Sequence, residues 1–265
     1  MNATKTITRY PEFQKLIDTM KARGFDYKKD YQTVIDHVNQ RARKEPFSLS
    51  EHVSGMVFSQ LSNQRPWKPI QDNAETIIRI FHYFDADYIL KMSTEQLNEI
   101  VNDLKAIRCG NRQIVKQVAA LQDNIRTLQR IAADYGSIDA YYNETPMDEV
   151  MQSLSAGNGK YKLKQMGVPL VSEYLRNVGV DIIKPDTHVK RILGRLGYTA
   201  SNPATDDEAF LVCEEIAAEY GMQNIEVDAV LWQYCANSYS PICTATPKCE
   251  ECKAYPCKRC PNTNG

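Results

Sequence analysis

The chain has 265 residues, 43% hydrophobic and 25% charged, with 32 Lys and Arg against 33 Asp and Glu for a formal net charge of -1. That length and apolar fraction supply a core that needs neither a metal nor a disulfide web to fold, and the near-neutral sum excludes a protein that is basic throughout. No apolar run approaches the length of a bilayer span, and the opening Met-Asn-Ala-Thr-Lys-Thr-Ile-Thr-Arg lacks an apolar signal core, so the expectation is a cytoplasmic protein in a reducing setting, with no membrane partner.

Helical periodicity runs along nearly the whole chain. Pro11 opens a segment in which Phe13, Leu16, Ile17 and Met20 recur at i, i+3, i+4 and i+7, which puts four apolar side chains on one helix face until Gly24. Residues 51–64 and 73–84 read as further helices, the first ending in the polar run Ser59-Gln60-Leu61-Ser62-Asn63-Gln64-Arg65, with Trp67 just beyond. Ser93-Thr94-Glu95-Gln96 has the form of a capping box, in which the Ser and Gln side chains satisfy amides at a helix start; Leu97, Ile100, Val101 and Leu104 follow at helical intervals. Residues 111–134, 187–197, 206–220 and 225–239 complete the predicted helices, while period-two runs such as Asp181-Ile182-Ile183-Lys184 are short and few. The predicted fold is all-α. With no repeat and no low-complexity linker, a domain boundary must be a change of packing partner rather than a tether.

Charge is distributed unevenly. Residues 159–198 carry eight Lys or Arg against Glu173, Asp181 and Asp186, whereas the stretch between Leu196 and Pro247 has no Lys or Arg and eight acids. An anionic partner for the basic segment fits this asymmetry, because phosphate contacts supply most of the sequence-independent affinity of nucleic-acid binders. A solvated helix face fits the charge pattern equally well.

Within 163–191, Leu163 and Met166 precede a turn at Gly167, and Val168, Val171, Tyr174 and Leu175 follow it at helical spacing. Two helices flanking a tight turn make a helix-hairpin-helix, whose outward-facing amides at a helix N-terminus can grip a phosphate. Further on, Pro185-Asp186-Thr187-His188 leads into Val189, Ile192, Leu193 and Leu196. Asp186 sits where an N-cap belongs, and a capping role alone accounts for an Asp there. Near the C-terminus Cys243, Cys249, Cys252, Cys257 and Cys260 have five, two, four and two residues between successive members. In a reducing compartment such a run reads as an iron–sulfur or zinc site rather than a disulfide framework. The two Cys-x-x-Cys pairs formed by Cys249, Cys252, Cys257 and Cys260 suit tetrahedral zinc, and four thiolates also suit a [4Fe–4S] cluster. Cys109, Cys213 and Cys235 are expected to bury as small apolar groups, and the four His are too dispersed for a catalytic metal.

A hairpin with Gly at its turn, then Asp-Thr-His opening a helix, then a Cys run, in that order, resembles the endonuclease III-like branch of the helix-hairpin-helix (HhH-GPD) DNA glycosylase superfamily over about residues 50–260. Thr-Pro-Lys-Cys-Glu-Glu-Cys at 246–252 is similar to the middle of that family's iron–sulfur loop, and Ser-Glu-Tyr-Leu-Arg-Asn-Val-Gly at 172–179 to the second hairpin helix of its 8-oxoguanine-processing members. The resemblance implies a monomeric base-excision enzyme on double-stranded DNA, with a helical barrel over 51–179, a second domain of 1–50 with 180–265, and DNA in the cleft between them. Such an enzyme flips a damaged nucleotide and cuts its N-glycosidic bond. Bond breaking passes through an oxocarbenium-like state, so a fixed carboxylate near C1′ is what the chemistry needs, and Asp186 is the matching residue. The resemblance also implies DNA contacts from Lys164, Gln165, Gly167 and Val168 at the hairpin, from His188 and Lys190 after Asp186, and from Gln60 as a wedge with Gln64 and Arg65 beside it. Cys243, Cys249, Cys252 and Cys257 match the family's four cluster ligands in order, with two of the three intervals one residue short, and Cys260 is an alternative fourth.

Two departures qualify the match. Bifunctional members carry a nucleophilic lysine early in the second hairpin helix, where this chain has Pro169, so hydrolysis without efficient strand cleavage is expected. Gln165 replaces the first glycine usual in the hairpin. Such drift leaves a catalytically degenerate DNA-structure-binding protein as the main rival, and a redox sensor unrelated to DNA as a third reading.

Overall fold

A computed structural model describes residues 8–237 and 239–259 of the chain. The described residues form fifteen α-helices and two 3-10 turns, with no strand. In chain order the helices are α1 (Pro11–Ala22), α2 (Tyr27–Ala42), α3 (Leu49–Leu61), α4 (Lys68–Asp72), α5 (Ala74–Ile80), α6 (Ala86–Leu90), α7 (Thr94–Ala106), α8 (Ile114–Ala119), α9 (Leu121–Tyr135), α10 (Ile138–Glu144), α11 (Met147–Ser155), α12 (Val168–Asn177), α13 (Thr187–Leu196), α14 (Asp206–Tyr220) and α15 (Asn224–Gln233). Among the described residues no helix is long and apolar enough to cross a membrane. The chain divides into two units, Asp36–Val180 and Met1–Ile35 with Asp181–Gly265. Where the sequence reading divides the chain at 51 and 180, packing divides it at 36 and 181.

In the unit of residues 36–180, α3 and α12 pack closely because Gly55 has no side chain: a Cβ there would lie 3.1 Å from Val178 Cγ1 and 3.2 Å from Asn177 Cβ. Polar groups tie the same pair, Asn177 Nδ2 donating to Gly55 O at 3.0 Å and Ser59 Oγ to Leu170 O at 2.5 Å. Buried Val53, Met56, Val57 and Leu61 supply the apolar face of α3, each worth about 1.5–3 kcal/mol of burial. The Ser93 box forms as the sequence predicts, and Ser48 with Glu51 makes a second one at the head of α3.

Three predicted helices come out differently. The helix expected over 73–84 stops at Ile80, because His82, Tyr83 and Phe84 adopt left-handed φ values of 49, 57 and 58°. That turn stacks the Phe81 and Phe84 rings 5.8 Å apart in the core and lets Asp85 cap α6. The helix expected over 111–134 is two, α8 and α9, and begins only at Ile114, since the Asn111 side chain accepts from Gln113 N at 2.7 Å and closes a turn that competes with helix. The helix over 225–239 ends at Gln233, where Tyr234 O accepts instead from Ile242 N and Cys243 N as the chain turns back.

In the other unit the α1 stripe of Phe13, Leu16, Ile17 and Met20 is buried as its spacing predicts. Phe13 meets the Tyr220 ring edge-on at 5.1 Å, and Thr205 with Glu208 closes a capping box at the head of α14.

Candidate functional site

Residues 181–185 lead into α13 as a non-helical segment with Ile182, Ile183 and Pro185 buried. It is fastened by Asp228, wholly buried, whose Oδ1 accepts from Lys184 N at 2.9 Å while Oδ2 lies 3.4 Å from the Tyr31 hydroxyl. Asp186 then caps α13: Oδ1 accepts from His188 N at 2.7 Å and Val189 N at 3.1 Å. Among the described residues Oδ2 takes no hydrogen bond, and the residue is partly exposed. The helix is held below by Val189, Ile192, Leu193 and Leu196 and stopped by Gly197 at φ 72°. One carboxylate oxygen is therefore fixed by amides, and the other remains available to a ligand.

Around His188, two residues after Asp186, the fold assembles aromatic groups that the sequence reading missed. Trp232 lies edge-on to His188 at 6.1 Å, to Tyr239 at 5.1 Å and tilted against Tyr31 at 6.4 Å; Trp232, His188 and Tyr239 are partly exposed. Arg191 Nη2 donates to His188 Nδ1 at 3.0 Å, and burial pushes the imidazole below its ordinary pKa, so the ring is neutral near pH 7. No local pattern marks this group, because Trp232 stands 44 positions after His188; the one available signal was an indole on a helix already rich in Val and Leu.

The hairpin lies in the other unit. Gly167 is the N-cap of α12, Pro169 occupies its first turn, and nothing stands within 4 Å of where a Gly167 Cβ would be, so the turn is open on that side. Leu163 and Met166 are buried but lie on no regular helix; residues 156–167 run as turns between α11 and α12, which corrects the expectation of helices directly flanking Gly167. The physical reason is Gln165, whose φ of 61° is incompatible with helix. Asn124, wholly buried, clamps this segment, accepting from Lys164 N at 2.7 Å and donating to Lys164 O at 3.1 Å. Lys164, Gln165 and Gly167 are exposed, and Val168 is partly so. Lys162 donates to Met166 O, and burial lowers its pKa.

Several cations of the basic segment are paired with acids: Lys160 with Asp134, Lys164 with Asp123, Arg176 with Glu173 and Lys190 with Asp206. The excess positive charge of the sequence is thus partly neutralised in place. An exposed pair such as Lys164–Asp123 is worth under about 1 kcal/mol, which a phosphate can outbid.

At the end of α3, Gln60 is only 4% exposed and its Nε2 has no hydrogen-bond partner among the described residues, while its carbonyl accepts from Asn111 Nδ2 at 2.8 Å. Gln64 is exposed at φ 52°. Arg65 is committed to the neighbouring loop, donating to Gly110 O at 2.9 Å and to Arg108 O. Asn63 and Trp67 are partly exposed, the indole edge-on to Phe58 at 6.4 Å. Of the three residues expected to reach into a duplex here, Gln64 is the one presented to solvent.

Four cysteines converge. Cys243, Cys249, Cys252 and Cys257 line one pocket with Arg195, Pro247, Lys248 and Tyr255, and Cys260 lies outside the described residues. Among the described residues no three His, Cys, Asp or Glu side chains are gathered tightly enough to hold an ion, so the thiols ring a pocket rather than meet at a point. Arg195 Nη1 lies 3.4 Å from Cys243 Sγ, and the Tyr234 hydroxyl 3.1 Å from Cys252 Sγ. A hydrogen bond from Cys235, then those from Arg195, hold the Cys243 thiol below its ordinary pKa; burial raises those of Cys235 and Cys252. Cys235 is buried as expected but contacts Cys243, whereas Cys109 and Cys213 are buried with no thiol partner among the described residues.

No protein-family model matches the chain, and no curated protein matches it in sequence. Among solved structures the chain is similar to the Methanocaldococcus jannaschii 8-oxoguanine glycosylase/lyase in complex with a 15-mer DNA containing 8-oxoguanine, at 20% identity and a TM-score of 0.55, over 85% of this chain and 98% of that one. The likeness establishes a shared all-α fold.

Proposed function

We propose that the protein is a DNA base-excision glycosylase that hydrolyses the N-glycosidic bond of a damaged or mispaired base flipped out of double-stranded DNA. The observation that carries this reading is Asp186, partly exposed, with one carboxylate oxygen fixed by two amides, at the head of a helix whose His188 packs on the partly exposed Trp232. The fold shared with a solved glycosylase/lyase supports it. In this reading the amides of His188 and Val189 hold the Asp186 carboxylate in one orientation, and Oδ2 stabilises positive charge at C1′ or orients the attacking water. Trp232 and Tyr239 offer π-faces to a planar base, and the open hairpin turn at Gly167 offers amides to a backbone phosphate. Pro169 cannot form a Schiff base, so the reading is monofunctional: hydrolysis without efficient strand cleavage.

The donor set of the cysteine pocket fits a [4Fe–4S] cluster held by Cys243, Cys249, Cys252 and Cys257. Such a cluster supplies a rigid cross-link of the loop and a one-electron couple. Zinc with Cys260 as a ligand is the alternative. A monomer acting in the cytoplasm completes the proposal.

A screen of oxidised, alkylated, deaminated and mismatched duplexes tests it, scored for free base and for strand breaks before and after alkali, with borohydride added to trap any Schiff base. Free base, breaks only after alkali, and no trapped complex are expected. Trapping would overturn the monofunctional part and point to Lys162, whose lowered pKa suits a nucleophile. Salt-sensitive duplex binding without release of any base would favour the second reading, a DNA-structure-binding protein, which the Pro169 and Gln165 departures support.

A further inference from the structure

Arg195 is buried, 8% exposed, yet among the described residues it pairs with no carboxylate. Among the described residues its side-chain acceptors come from the cysteine loop: Cys243 Sγ at 3.4 Å, Thr244 O at 2.7 Å and Ala245 O at 3.3 Å. A buried guanidinium without a counter-charge is costly. The acceptor beside it that can carry negative charge is the Cys243 sulfur, as a thiolate or as part of a metal–thiolate complex. Tyr234, wholly buried, donates its hydroxyl to Cys252 Sγ at 3.1 Å, while its carbonyl accepts from Ile242 N and Cys243 N. Neither side chain has a part in base excision as described above. Both come from helix ends outside the cysteine motif, Arg195 from the last turn of α13, 48 residues before Cys243, and Tyr234 from the residue after α15, 18 residues before Cys252.

We propose that Arg195 and Tyr234 are the positioning residues of the metal centre, holding the Cys243 and Cys252 sulfurs on the pocket wall by direct hydrogen bonds and raising the reduction potential of the cluster they ligate. This rests on the iron–sulfur assignment. Hydrogen bonds to ligand sulfurs withdraw electron density, and a nearby cation favours the more negative state, so both stabilise the reduced form of a one-electron couple. Removing either donor shifts the midpoint to more negative values.

The test uses the full chain purified without oxygen. Tyr234→Phe removes one hydroxyl and keeps the ring; Arg195→Gln removes the charge; Arg195→Lys keeps the charge and loses the fork. Iron and sulfide per chain, loss of visible absorption to a chelator, and the midpoint potential at an electrode are measured beside the thermal unfolding midpoint. Tyr234→Phe should retain iron with a more negative midpoint. Arg195→Gln should release metal to the chelator about 10- to 100-fold faster, and Arg195→Lys should fall between it and the parent. Unchanged potential and unchanged release in Tyr234→Phe and Arg195→Gln overturn the proposal. So does a protein that holds zinc and no iron, an outcome that removes the cluster while leaving the base-release result to stand or fall separately.

Discussion

Replacing Asp186 by Asn separates its capping of α13 from the catalytic role proposed for it. The Asp186 Oδ1 accepts two amide hydrogen bonds at 2.7 and 3.1 Å, and an Asn carbonyl oxygen can accept the same two. Asn is as good an N-cap as Asp, so α13 should lose only a few tenths of a kcal/mol from the missing charge at the helix N-terminus. Asp186→Ala, which loses both bonds, should cost about 1–2 kcal/mol in urea unfolding. Catalysis follows a different order. An amide carries no net charge to set against an oxocarbenium-like state, and losing one preorganised electrostatic contact typically costs about 2.7–4 kcal/mol, a hundred- to thousandfold in rate. Single-turnover base release should therefore fall by at least about a hundredfold in both variants, while unfolding separates them. Base release by Asp186→Asn at the parent rate, on a substrate the parent processes, would refute the assignment and leave Asp186 a cap only.

Gln165→Gly removes a side chain from a left-handed position at φ 61°. The relieved strain of about 1–2 kcal/mol is offset by about 0.5–1 kcal/mol of added unfolded-state freedom, so urea unfolding should show a variant at least as stable as the parent; a loss above 1 kcal/mol would mean the Gln side chain has a structural role. Trp232→Ala should raise KM for lesion duplex more than it lowers the single-turnover rate if the indole stacks on the base, and Trp232→Phe should recover most of the effect. Equal loss in both parameters for Ala and Phe would argue for simple misfolding of the site. For Asp139, burial alone would raise the carboxyl pKa, but the His52 imidazole 3.5 Å away, a hydrogen bond from Phe47 N and the Arg41 guanidinium together bring it down to about 2 from 3.8. Because the folded pKa is the lower one, its contribution of roughly 2 kcal/mol is complete above about pH 4 and is lost as pH falls towards 2. Asp139→Asn should flatten the stability profile in that window, and a profile parallel to the parent's would exclude Asp139 as its source.

Features that depend on neighbours along the chain were legible in the sequence. The spacing of Phe13, Leu16, Ile17 and Met20 declared α1, the Ser93 and Gln96 pair declared the head of α7, and Asp186 before Val189, Ile192 and Leu193 declared the cap and buried face of α13. α2 went unread because Lys28, Lys29, Asp30, Gln32 and Thr33 interrupt its apolar positions, leaving mainly Tyr27, Tyr31 and Val38 to bury. The left-handed run at His82, Tyr83 and Phe84 was equally silent, since nothing in those side chains demands a positive φ and only the packing of Phe81 on Phe84 rewards it.

The cysteine spacing raised the expectation of a metal loop; it could not say that Arg195 and Tyr234 would meet two of the sulfurs. Gln60 shows the same limit from the other direction, a polar residue that reads as exposed until the Asn111 loop closes over its helix end. Caps and helical faces obey rules that span about four residues, so sequence alone determined them. Burial, hydrogen-bond partners and the aromatic group around His188 join residues tens of positions apart, and only the folded chain decided which of them would touch.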